Sequence, residues 1–145
     1  MFSIERPIKH LQQKIISEDG DCLRTCLAML LGAKDPEEVP FFPEGSWPEY
    51  EEWLGEEGYD LIHIPSNGLP APLFFSRLQH QLNGGAAVIV TGLVDTLQWC
   101  HCVVVTADNI FDPGYEEGHE HCIAYPNYSG EYWVTILLPI REEQS

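Results

Sequence analysis

The chain has 145 residues, with seven Lys and Arg against 23 Asp and Glu, for a formal net charge of −16 at pH 7. Its hydrophobic content of 44%, with six Phe, six Tyr and four Trp, is enough for one core and predicts a single domain over residues 1–145. Between Asp35 and Asp60 there are ten carboxylates and no Lys or Arg, which argues against nucleic acid or an anionic membrane as a partner of that face.

The same field favours basic or neutral partners, or simply keeps the surface solvated. Residues 1–13 have no apolar stretch of the leader type. The longest apolar run, Ala86 to Val94, is interrupted by Thr91 and Gly92 and is too short to span a bilayer. Five cysteines is an odd number, and without a secretory signal they read as reduced thiols in a cytoplasmic protein.

Residues 1–19 read as an extended leading segment with Pro7 and a polar stretch from His10 to Lys14. Asp19, Gly20 and Asp21 form a turn, with Asp21 as N-cap of a helix to Leu31 that is apolar on nearly every side and so belongs in the core. Gly32 closes it. A loop punctuated by Pro36, Pro40, Pro43 and Pro48 follows, with one helical turn over Asp35 to Val39, and Phe41, Phe42 and Trp47 dock it on the core. A second helix is predicted from Pro48 to Glu57, with Pro48 at N1 after a cap from Ser46 or Trp47, and with Tyr50, Trp53 and Leu54 on one face and Gly58 beyond it. Tyr59 to Ile64 alternates as a half-buried strand, with its histidine, His63, at the surface. A third helix runs from Pro72 to Asn83, closed by Gly84 and Gly85, with His80 exposed. Strands then follow at Ala86–Val94, His101–Thr106, Ile110–Phe111 and Tyr132–Pro139. Helices first and strands later, with short connections, predict an α+β fold with a mostly antiparallel sheet.

The chemistry centres on Cys22, near N1 of the first helix, where unpaired N–H groups and the positive end of the helix dipole favour a thiolate. Cys26, a turn further in, feels much less of this. A nucleophilic thiol needs a base and the base an orienting acceptor. His101 opens a β-forming run, and if Thr106 to Asn109 is a four-residue hairpin loop, Val103 faces Asp112 and His101 is its diagonal neighbour on the same face. Trp99 would share that face. As alternatives to core packing, Trp47, Trp53 and Trp99 could wall a substrate groove.

Gly20-Asp21-Cys22-Leu23-Arg24-Thr25-Cys26-Leu27-Ala28-Met29 resembles the Asp-Cys-Gly-x-x-Cys-Leu-Ala-Met segment of the C39-like peptidases of the papain-like superfamily. His101-Cys102-Val103-Val104-Val105 and Phe111-Asp112-Pro113 resemble that group's His-Phe-Val-Val-Val strand and the Asp-Pro after it. The chain is also similar to phage and bacterial papain-like proteins in Cys22, Leu31, Gly32, Val39, Pro40, Phe42, Trp47, Trp53, Leu54 and Gly58. The resemblance implies a papain-like fold, with a nucleophile helix packed on the sheet and a Cys22, His101 and Asp112 triad. Where the family has Gly after the nucleophile and Gln six positions before it, this chain has Leu23 and Ile16. Gln13 is the nearest candidate for the oxyanion-hole amide and Gln12 the second. The implied activity is a cysteine hydrolase or acyltransferase, without cofactor, acting on a peptide, a protein tail or isopeptide, or a small amide. A basic substrate would suit the 35–60 segment.

Two other readings compete. Cys100, His101 and Cys102, with His119, His121 and Cys122 as a second cluster, suggest a metal, but in a strand Cys100 and Cys102 point away from His101 and no spacing matches a zinc module. The other is a papain-like scaffold used only for binding, such as a phage-type inhibitor of a host protein, including a DNA mimic, working through its acidic surface.

Overall fold

A computed structural model describes residues 8–14, 21–42, 47–83, 86–94, 100–116, 120–127 and 130–140. The predicted turn at Asp19 and Gly20, the positions of Ile16, Trp99 and His119, the Ser46 cap and the Gly84–Gly85 closure lie outside them. Three helices and a short 3₁₀ turn precede or interleave with five strands: α1 (Cys22–Leu31), the 3₁₀ turn (Pro36–Glu38), α2 (Trp47–Glu56), β1 (Tyr59–Ser66), α3 (Ala71–Gln81), β2 (Ala87–Leu93), β3 (Cys100–Thr106), β4 (Ile110–Phe111) and β5 (Tyr132–Pro139). Among the described residues no helix is long and apolar enough to cross a membrane.

α1 is the central helix that its composition predicts, with every residue from Leu23 to Leu31 buried. Gly32 ends it in the left-handed region at φ 73°, and the N–H of Ala33 reaches back to the Ala28 carbonyl at 2.9 Å. Its other end corrects the sequence reading. Asp21 occupies the N-cap position, but its side chain makes no cap hydrogen bond. Its Oδ2 accepts instead from Nη2 of Arg24 at 2.5 Å, from Nε at 3.2 Å and from the Lys14 N–H at 3.3 Å. The reason is burial: a guanidinium that is only 8% exposed needs a counter-charge, and that demand outweighs one cap bond. Arg24 also stacks its charge over the Phe41 ring, 5.2 Å from the centroid, which ties the proline-rich loop to α1.

The 3₁₀ turn carries a complete capping box between Asp35 and Glu38. α2 begins at Trp47, one residue before the predicted start, and buries Tyr50 and Leu54. β1 extends two residues beyond the predicted Ile64 because its ladder with β5 runs on to the Ser66–Tyr132 pair. α3 is shifted slightly toward the N-terminus relative to Pro72–Asn83.

The strands form one sheet in the order β1-β5-β2-β3-β4, and every pairing is antiparallel. The α+β class and its antiparallel sheet are as predicted. Period-two alternation divides the core. Ile89, Cys102 and Val104 face α1 and α2, whereas Val88, Val90, Val103 and Val105 face Phe74 and Phe75 of α3. On the first face His63 is not the surface residue predicted. Its Nδ1 lies 2.8 Å from Thr135 Oγ1, its Nε2 lies 2.7 Å from Glu51 Oε1, and its ring meets Trp47 edge-on, because α2 packs over β1. His80 is exposed, as predicted.

Gly92 in β2 pairs with His101 in β3, and the run carrying Ile123 and Tyr125 crosses directly over it. A Cβ there would stand 2.8 Å from the Ile123 Cγ2 and 2.9 Å from the Tyr125 carbonyl oxygen. The carbonyl is itself held by the Leu93 N–H at 2.9 Å, so it has little freedom to retreat. Gly92→Ala is expected to cost about 1–3 kcal/mol by overpacking, read as a lower urea midpoint at unchanged m.

Candidate active site

The hairpin that positions the site has the register required by a four-residue loop. Val105 pairs with Ile110 and Val104 with Phe111, and the Thr106 N–H bonds to the Asn109 carbonyl at 2.8 Å. Continuing that count sets Val103 opposite Asp112, so His101 and Asp112 share a face. The two side chains meet, with Nε2 of His101 2.6 Å from Oδ1 of Asp112 and side-chain exposures of 11% and 1%. Asp112 is held from three further directions. Its Oδ1 accepts the Gly114 N–H at 2.9 Å, its Oδ2 accepts the Cys122 N–H at 2.9 Å, and its carbonyl oxygen lies 2.8 Å from Nε2 of His10. The His10 ring stacks on Phe111.

These bonds set the ionisation of the pair. Burial alone would push the His101 pKa down, but its bonds to Asp112, Cys122 and Cys22 reverse this and raise it to about 12. Burial alone would raise the Asp112 carboxyl, and the His101 bond and charge with the Cys122 and Gly114 N–H donors hold it below its usual value. The resting pair is therefore imidazolium and carboxylate.

Cys22 is the first residue of α1 and partly exposed. Its sulfur hydrogen-bonds to the Cys102 thiol and to the His101 ring. The Cys102 bond lowers its pKa most, burial opposes this, and the His101 bond and charge lower it further, leaving it well below the ordinary thiol value. Cys102 moves the opposite way: its hydrogen bond to Cys22 and its burial both raise it, so it stays a neutral S–H donor. With Nε2 committed to Asp112, Nδ1 is the ring nitrogen left to face Cys22. The β4 ladder stops at Phe111, so residues 101–103 have no β4 partner at this end of the sheet. Cys26 is fully buried and its pKa is raised, chiefly by desolvation.

The leading segment closes the site. The Gln13 N–H donates to the Pro113 carbonyl at 2.7 Å, which sets residue 13 beside the turn that follows Asp112. A Cβ placed on Gly114 would be 3.4 Å from the His101 Cε1 and 3.6 Å from the Gln13 Oε1. Gln12 is exposed. The structure thus brings Cys22, His101 and Asp112 together and sets Gln13 against the Pro113–Gly114 turn beside them. The first peptide N–H groups of α1 point to the same end of the helix, where the first intrahelical bond is from the Thr25 N–H to the Asp21 carbonyl at 2.9 Å.

Two thiols belong to this neighbourhood that sequence spacing had not attached to it. Cys102 had been read as pointing away from His101, but both side chains hydrogen-bond to the Cys22 sulfur. Cys122 lies against His101 from another side: one ligand atom each from His101, Asp112 and Cys122 lie within 4.8 Å of one another. The three could hold a thiophilic cation. However, Asp112 already accepts three N–H bonds, so a cation would have to displace the His101 proton shared with it. No sequence signal linked Cys122 to Asp112, because the link is a backbone N–H and carries no residue identity. His121, before it, stacks against Phe75 with centroids 4.1 Å apart, and burial pushes its pKa down.

A groove of about 810 Å³ is lined by Phe111 and His121, the residues preceding Asp112 and Cys122 in the chain. Ala71, Pro72 and Ile123 contribute its apolar wall, and Asp108 and Glu120 its carboxylates. Compared with models of protein families, with curated proteins and with solved structures, the chain matches none.

Proposed function

We propose that the chain is a cysteine-dependent hydrolase or acyltransferase of papain-like arrangement, acting on a peptide, isopeptide or small amide bond. The observation that carries this reading is the junction of a helix-terminal thiol with a histidine whose far nitrogen is held 2.6 Å from a buried carboxylate. In that reaction the Cys22 thiolate attacks the carbonyl carbon and His101, held as imidazolium, gives its proton to the departing amine. Asp112 fixes the ring and keeps it charged. The Cys22 N–H and the Gln13 amide hold the oxyanion. Water or a second amine then resolves the thioester. The Asp108 and Glu120 carboxylates beside the groove favour a basic substrate.

The test is acylation by p-nitrophenyl acetate, followed by intact mass and peptide mapping. An acetyl group at Cys22, absent from Cys22→Ala, is the expected result. No adduct, or one spread over Cys22, Cys100 and Cys122 alike, would overturn the reading and leave a protein that only binds. Gln13→Ala is expected to slow acylation about 10²-fold while leaving iodoacetamide alkylation of Cys22 unchanged, because alkylation forms no oxyanion.

A further inference from the structure

We propose that His101, Asp112 and Cys122 form a binding site for one zinc-class divalent cation, and that an ion held there takes His101 away from Cys22. The site itself does not depend on the reading of Cys22 as a nucleophile.

The geometry is the first argument. One ligand atom each from His101, Asp112 and Cys122 lie within 4.8 Å of one another. Donors around a tetrahedral zinc stand about 3.5 Å apart, as metal–ligand bonds of about 2.0–2.3 Å require. The His101 and Asp112 atoms, now 2.6 Å apart, open by about 1 Å on binding, and the sulfur closes in by little more than that. Cys122 lies on a run outside the strands, where a shift of this size breaks no ladder bond.

The donor set is the second argument. An imidazole nitrogen, a thiolate sulfur and a carboxylate oxygen suit zinc, whereas calcium and magnesium take oxygen donors. Thiolate and carboxylate together neutralise the dication, and three protein ligands leave the fourth position to water. Asp112 is only 2% exposed, so it is not a surface carboxylate already satisfied by solvent. The Gly114 N–H holds its Oδ1 and the Cys122 N–H its Oδ2, both at 2.9 Å, and these are the outer contacts that aim a metal-bound carboxylate. Both persist when the ion replaces the proton that His101 shares with Asp112. Cys122 is partly exposed, and the net charge of −16 concentrates cations around the chain.

Binding moves protons and no electrons: His101 and Cys122 each release one proton to water as the ion enters. With its ring nitrogen on the metal, His101 is no longer paired with Asp112 and has no proton to give a departing amine. Acyl transfer at Cys22 therefore stops while the ion is bound, and a chelator restores it.

The experiment uses the full chain, reduced and stripped of metal, and reads zinc binding by competition with a chromophoric chelator. One zinc per chain is expected. In Cys122→Ser, a near-isosteric change that keeps the backbone N–H on Asp112, affinity falls at least about tenfold, since even the loss of an outer-shell partner costs about that much. Cys22→Ala retains the site. Cobalt(II) in place of zinc gives a thiolate-to-metal charge-transfer band in the parent and in Cys22→Ala, and none in Cys122→Ser. The parent alone supplies a check that needs no variant: with zinc bound, iodoacetamide labels Cys122 at least about fivefold more slowly, while Cys100 labels as before. Absence of stoichiometric zinc overturns the site, as does zinc that protects Cys22 but not Cys122 and is lost in Cys22→Ala. Zinc on Cys122 in a chain whose Cys22 is never acylated overturns the hydrolase reading and leaves the metal site, and an acylated Cys22 in a chain that binds no zinc does the reverse.

Discussion

At pH 6, iodoacetamide is expected to alkylate Cys22 at least about tenfold faster than the exposed Cys100 in the intact chain, and His101→Ala to remove that difference. The comparison isolates ionisation from access. Cys100 is the more exposed of the two, but burial and the Cys22 charge raise its pKa, so little of it is thiolate at pH 6. Cys22 accepts from Cys102 and His101, which hold its pKa well below the ordinary thiol value, so its thiolate fraction at pH 6 is the larger, and that gain exceeds the loss of intrinsic nucleophilicity that accompanies a lowered pKa. The rate at Cys22 is therefore expected to climb less steeply between pH 6 and pH 8 than that at Cys100, whose thiolate fraction grows with pH. With His101 gone the nucleophile loses a donor, a charge and its proton source, and acylation falls by about 10²–10⁴. Because His101→Ala leaves Asp112 buried without its charged partner, Asp112→Asn is the companion variant. It retains the imidazole and weakens its charge, and it is expected to give an intermediate alkylation rate that rises with pH. Alkylation of Cys22 that matches Cys100 in rate and in slope would refute the ion pair.

Asp112→Ala is expected to lower unfolding free energy by about 3–5 kcal/mol in urea, because it strands a buried imidazolium and leaves the Gly114 and Cys122 N–H groups facing a methyl. Set against the about 5–15 kcal/mol typical of whole domains, that is a large share. Asp112→Asn costs less, about 1–3 kcal/mol: its oxygen still accepts from His101 and Gly114, and only the Cys122 N–H meets an opposed amide.

The same groups shape stability against pH, and their signs differ. Asp112 is lowered, so its contribution is complete above the unfolded carboxyl value of about 3.9 and is lost as pH falls through the folded one. His101 is raised to about 12, so its contribution is complete below the unfolded value of about 6.5 and declines from there up to about 12. Cys22 is lowered, so its contribution is complete above about 8.5 and shrinks as pH falls. Between about 6.5 and 8.5 the raised His101 and the lowered Cys22 contribute slopes of opposite sign that offset each other. Stability from this site thus changes less across this window than beyond pH 8.5, where it falls and the raised Cys26 and Cys102 add to the fall. In Cys22→Ala the compensation is gone and the decline begins at pH 6.5. Urea midpoints across pH 5 to 10 read the shift directly. A parent curve that falls as steeply as that of Cys22→Ala between pH 6.5 and 8.5 would mean that Cys22 is protonated at rest.

Local pattern was enough for the elements whose cause is local. The almost continuously apolar run to Leu31 reads as a buried helix, the Asp35–Val39 segment as one helical turn, and the Tyr132–Pro139 strand matches its prediction at both ends. The pairing of His101 with Asp112 was legible only on the condition of a four-residue loop, since one register shift would set them on opposite faces, and the β3–β4 ladder has that register. Where pattern and structure part, a partner distant in the chain decided. Asp21 gave its carboxylate to the buried Arg24 rather than to the helix N–H groups, and His63 was drawn from solvent by Glu51 and Thr135. The roles open to the cysteines depended on this most. Residue type and helix position singled out Cys22, but that its sulfur touches Cys102, and that Cys122 donates its N–H to Asp112, follow from packing between α1, β3 and the run before β5. Sequence by itself determined the class of the fold and brought forward Cys22, His101 and Asp112 as candidates, since these follow from period, propensity and hairpin register. Only the tertiary structure decided the charge state of the site and which thiols share it, because both depend on burial and on hydrogen bonds between atoms far apart in the chain.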